Sequence, residues 1–82
     1  MSDFSLEIRT PEKALFQGKV VSLNVPAADG RLGVLADHAP LALSLGAGEI
    51  IYRSAQGETA RHDCGGGFLV VSKNAANVLL FT

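Results

Sequence analysis

Eighty-two residues with a formal net charge of −1, of which 48% are apolar and 18% charged, make one small folded domain, because disordered chains combine low hydrophobicity with high net charge. The seven Lys and Arg, at positions 9, 13, 19, 31, 53, 61 and 73, are scattered through the chain, with no basic stripe to track phosphates, which argues against nucleic acid as a partner. A chain of this length buries only about 60–65% of its unfolded surface, so a partner is expected to supply part of its stability.

The amino end, MSDFSLEI, has neither the charged region nor the apolar core of a signal peptide. Within Ser5–Thr10, Leu6 and Ile8 face one way while Glu7 and Arg9 face the other, the pattern of a half-buried strand. Thr10-Pro11-Glu12 reads as a turn, and Pro11–Phe16, which could pass for a helix, is too short to persist unaided. Lys13–Phe16 is instead a strand. Val21, Leu23 and Val25 alternate with Ser22 and Asn24 in the next, and Asp29-Gly30 turns the chain into Leu32–Leu35. Pro40 restricts Ala39 to extended geometry and leaves His38 at the surface. Leu41, Leu43 and Leu45 then form a heavy face that so thin a domain cannot bury completely, which leaves Leu43 for a partner. Gly46-Ala47-Gly48 and Gln56-Gly57 read as turns around the strand Glu49–Arg53, and the strand Glu58–Asp63 follows. Phe68–Ser72 and Val78–Phe81 complete the set, separated by turn-tolerant residues from Lys73-Asn74 to Asn77. The pattern predicts one all-β domain, residues 1–82: a small flattened barrel or β-sandwich of about eight to ten short strands.

No constellation of side chains points to catalysis. Gly65–Gly67 precedes a strand, whereas a phosphate cradle needs a helix N-terminus after it, so the glycines mark a bulge or a close backbone approach. His62, Asp63 and Cys64 alternate between faces, and only His38 could add a further soft ligand, so no metal site is assigned. Cys64 reads as a small thiol filling a core gap, with His62 at the strand surface. A Cys64–His38 or Cys64–His62 nucleophile pair lacks an orienting group and an oxyanion pocket. The chain is read as no enzyme, with no cofactor and no small-molecule substrate. The single cysteine rules out an internal disulfide and suggests a reducing compartment. No apolar run approaches the ~18–20 residues of a spanning helix, so membrane association is expected only through another protein.

Four stretches together resemble the N-terminal β-sandwich domain of the epsilon subunit of F-type ATP synthases: LEIRTPEKALFQGKVVSLNVP, ADGRLGVLADHAPL, LGAGEI and GGGFLVV. The string Gly30–Leu41, with Thr10–Gly18 upstream and Gly66–Phe68 downstream, carries most of the specificity. The resemblance implies a non-catalytic rotor component that links the gamma subunit to the membrane c-ring at the cytoplasmic face of the inner membrane. It implies gamma contact at Thr10, His38 and Leu43, and c-ring contact through the loop of Ala28, Asp29, Gly30, Arg31, Leu32 and Gly33. A stand-alone protein-interaction adaptor of the same fold is the alternative. Ala36-Asp37 stands where the family commonly has Pro-Gly or Pro-Asn, Arg31 where an acidic residue is frequent, and Cys64 where serine is usual. The family's C-terminal helical hairpin, which can block rotation or bind ATP, has no counterpart in these residues, so neither activity is expected of them.

Overall fold

Period-two alternation carries most of the chain into strands. The computed structural model describes residues 2–81, in six strands: β1 (Phe4–Arg9), β2 (Ala14–Ala27), β3 (Gly30–Val34), β4 (Leu41–Ser54), β5 (Thr59–Ser72) and β6 (Ala75–Leu80). The count is six rather than eight to ten because β2, β4 and β5 are each 14 residues long. Each absorbs two of the expected short strands. Gly46-Ala47-Gly48 is therefore not a turn. Its pairing with β5 runs from Leu45↔Gly67 through Ala47↔Gly65 to Glu49↔Asp63 without a shift of register.

The sheet order is β1-β6-β5-β4-β2-β3, with β1 also pairing β2, so the sheet closes on itself. The three long strands run through both layers of the resulting flattened barrel. One layer joins the first half of β2 to β1, β6, the second half of β5 and the first half of β4. The other joins β3, the second half of β2, the second half of β4 and the first half of β5. Two glycines of β5 permit this course. Gly66 has φ of 130°, a conformation that side chains rarely adopt, and a Cβ at Gly67 would collide with the carbonyl oxygen of Leu79. The reading of this triplet as a close backbone approach holds.

Between the layers lie sixteen buried apolar residues, among them Phe4, Leu6, Ile8, Leu23, Ile50 and Leu69, and no buried polar or charged residue among those described. Burying a side chain of this size contributes about 1.5–3 kcal/mol. The Cα radius of gyration is 11.4 Å, close to the ~12 Å expected of this length.

Candidate functional site

Outward-facing positions follow from the strand register, and they differ sharply between the layers. On the first layer, Phe68 pairs with Leu79 and Ser44, and Val70 pairs with Ala42 and Asn77. Partners in register share a face. Phe68, Val70, Leu79 and Phe81 therefore form one outward patch, each 40–56% exposed. The Phe68 and Phe81 rings meet edge to face at 5.5 Å, a favourable aromatic geometry. At the β1 margin of the patch Arg9 pairs with Glu7 at 3.5 Å. An apolar centre with a polar rim is the anatomy of a protein interface.

The second layer presents Ser22, Asn24, Arg31, Glu49, Arg53, Arg61 and Asp63 outward, with Arg61 and Glu49 paired at 3.3 Å and both largely exposed. An open groove of about 440 Å³ crosses this face, lined by Ser22, Asn24, Leu35, Ile51, Arg53 and Thr59 among others. It holds no converging set of titratable groups, and among the described residues no cluster of His, Cys, Asp or Glu could hold a metal.

The residues singled out for gamma contact form no single cluster: Thr10 and His38 lie toward opposite ends of the apolar patch, and Leu43 is on the inward side of β4. Thr10 follows β1, at the end where Arg9 pairs with Leu79. Its hydroxyl accepts from the backbone N–H groups of Glu12 and Lys13 at 3.3 and 3.2 Å and so shapes the turn into β2. Leu43 lies on β4 opposite the fully buried Leu69 and so faces inward, half-buried against the core and on the other side of the strand from the patch. His38 is half-buried in the β3–β4 loop, with Nδ1 2.7 Å from the carbonyl oxygen of Ala39. It lies near the opposite end of β1 from Thr10, on the order of 15 Å away by strand rise.

The residues expected to meet the c-ring occupy the β2–β3 hairpin. Ala28 and Asp29 form its two-residue tip, Gly30 (φ 133°) opens β3, and Arg31, Leu32 and Gly33 pair back with Pro26, Val25 and Asn24. Arg31 does not project from the tip. Its guanidinium lies along β2, donating from Nε to Asn24 Oδ1 and from Nη2 to the Asn24 carbonyl at 3.3 Å. Asp29 is left as the exposed charge at the turn itself.

His62 departs from its expected place at the strand surface. It is half-buried and stacks on Tyr52 with ring centroids 5.8 Å apart, while Tyr52 meets Phe16 at 4.3 Å. Burial raises the pKa of the Tyr52 phenol by penalising its charged form. Cys64 is buried, as expected, and its thiol donates to the Gly46 carbonyl at 3.3 Å.

Sequence reasoning missed the apolar patch, although a signal was present. Phe68–Val71 and Val78–Phe81 are unbroken apolar runs on adjacent strands, and a strand apolar at every position is apolar on both faces.

Comparison with known proteins bears on this arrangement. Residues 3–81 match the family described as the ATP synthase, Delta/Epsilon chain, beta-sandwich domain. The chain is 36% identical over 81 residues to the ATP synthase epsilon chain of Syntrophomonas wolfei, covering 99% of this chain and 59% of that one. It is 38% identical over 79 residues to the sodium ion specific ATP synthase epsilon chain of Propionigenium modestum, covering 96% and 57%. It thus spans less than two thirds of the length of these relatives. A chain of the Euglena gracilis mitochondrial ATP synthase, in a complex of OSCP, F1 and c-ring, superposes on all of it with a TM-score of 0.92 at 19% identity, and the match covers 52% of that chain. On the strength of the match over residues 3–81, this chain belongs to the beta-sandwich domain family of ATP synthase delta and epsilon chains.

Proposed function

We propose that the chain serves as a non-catalytic central-stalk component of an F-type ATP synthase, bridging the gamma subunit and the c-ring so that ion-driven ring rotation turns the shaft. The observation that carries this reading is the apolar outer face of the first layer, formed by Phe68, Val70, Leu79 and Phe81 on a fold shared with synthase epsilon chains. The gamma subunit docks on that face, with Thr10 and His38 at its margins, and the half-buried Leu43 joins the contact only through its exposed part. A permanent partner favours such an apolar surface, since obligate interfaces resemble a domain core cut in half. The β2–β3 tip, Ala28–Gly33, meets the polar loops of the c-ring, with Asp29 as its exposed charge. The complex holds the chain at the cytoplasmic face of the inner membrane without insertion of its own.

A closely packed barrel suits this task because protein interiors have low compressibility and transmit strain. The test is calorimetric titration of the gamma subunit into the chain carrying Phe68→Asp. The variant stays folded, because Phe68 is exposed, and gamma binding is lost, because an unpaired charge would be buried at an apolar contact. Unchanged gamma binding by the variant would refute this docking face, and no gamma binding by the parent chain would favour the adaptor reading.

A further inference from the structure

The β3–β4 loop carries His38, and a single hydrogen bond ties its backbone to a distant turn. Asp37 has φ of 61°, a left-handed conformation that aspartate, like asparagine, adopts more readily than most side chains. Its backbone N–H donates to Asn74 Oδ1 at 2.8 Å, across 37 residues of sequence. Asn74 sits in the two-residue turn between β5 and β6, where Lys73 and Asn74 have φ of 53° and 58°. Positive φ at both central residues is what a type I′ hairpin requires, and asparagine tolerates it. The same side chain donates from Nδ2 to the Asp3 carbonyl at 2.9 Å, and the Asn74 carbonyl accepts from the Ser5 N–H at 3.2 Å. One residue therefore ties the start of β1, the β5–β6 turn and the β3–β4 loop together.

The geometry points to Asn74 as the positioning residue of the His38 loop: its side-chain amide sets Asp37, and through it the angle at which His38 is presented to the gamma subunit. Beside the His38 Nδ1–Ala39 contact, the Asp37–Asn74 bond is what ties the Ala36–Ala39 stretch to another part of the described chain, so the loop takes its place in the fold from the tether. The functional half of this assignment rests on the docking face proposed above. The tether itself rests on the hydrogen bonds alone.

Asn74→Gly separates the two. Glycine keeps the left-handed turn and removes the side chain, so the hairpin survives and the tether does not. In the 82-residue chain, amide exchange at Asp37 accelerates roughly five- to tenfold, the effect of one hydrogen bond, while exchange at the core residue Leu69 is unchanged. Asn74→Asp keeps an oxygen acceptor for Asp37 but loses the donor to the Asp3 carbonyl, so it restores protection of Asp37 in part. Gamma affinity, titrated in parallel, falls roughly three- to tenfold for Asn74→Gly as the binding-competent loop population drops. Adding His38→Ala to that variant costs less than His38→Ala costs alone, because both act through one loop. Unchanged exchange at Asp37 in Asn74→Gly overturns the tether. Faster exchange with gamma affinity untouched by either Asn74→Gly or His38→Ala overturns the loop's role in docking and leaves the tether standing.

Discussion

The two outer surfaces of the sandwich arise from the same alternation of inward and outward residues, and they differ in what the outward positions carry. On the first layer β5 and β6 place Phe68, Val70, Leu79 and Phe81 outward; on the second, β4 and β5 place Glu49, Arg53, Arg61 and Asp63 there. β5 contributes to both, so one strand is apolar on its outer side over its second half and charged over its first. The buried positions are apolar in both layers. The inner pattern therefore accounts for folding and is shared by both layers, whereas the outer pattern is free to differ and records what each layer faces.

Adjacent residues of β5 break the comparison most strongly. Leu69 is fully buried and Phe68 is not. Leu69→Ala is expected to lower stability by about 2–5 kcal/mol, read as a drop in the midpoint of denaturant unfolding. Phe68→Ala should change that midpoint little and fall instead on gamma affinity, by about 2 kcal/mol. Equal losses of stability at the two positions would mean that the patch is part of the core.

The charged face supplies the opposite control. The Arg61–Glu49 pair is largely exposed on both sides, and such pairs contribute about 0–1 kcal/mol. Arg61→Gln is expected to leave both unfolding and gamma binding within that range, and a large loss of gamma binding would move the docking face to the second layer.

The smallest effect lies between the layers. The chain has one tyrosine, so phenolate absorbance reports Tyr52 alone. Its folded pKa lies above the ordinary value of 10.0 because burial disfavours the anion. The unfolded chain thus loses this proton first. The resulting stability is fully present below about pH 10 and declines as pH rises through the folded pKa. Tyr52→Phe should remove that alkaline decline, and an unaltered decline would assign it to other groups.

Much of the fold could be read from alternation and turn residues. The turn at Lys73-Asn74 falls where those residue types tolerate positive φ, although β6 begins at Ala75, earlier than a turn running to Asn77 allows. Strand number was not legible, for a physical reason: a glycine that ends a strand and one that bends it are the same residue. Whether Gly46–Gly48 reverses the chain depends on β5, whose pairing partners lie elsewhere in the sequence. The site was legible in part. His38 stands out beside Pro40, but the contact that holds its loop joins residues 37 positions apart, and no local pattern encodes that. Arg31 stands out as a charge near the hairpin tip, while its retreat along Asn24 depends on the pairing of β3 with β2.

The pairing of the first strand with the last has a mechanical side. β1 and β6 run parallel, from Ser5↔Ala75 to Arg9↔Leu79, so Phe4 and Leu80 lie at opposite ends of one ladder. A pull between those points loads the ladder lengthwise, and its hydrogen bonds resist together instead of parting one after another as in a hairpin opened from its free ends. Slanted, evenly spaced parallel bonds share such a load along the whole overlap. This part of the barrel wall is thereby placed in shear, the loading direction in which a short β-ladder yields last.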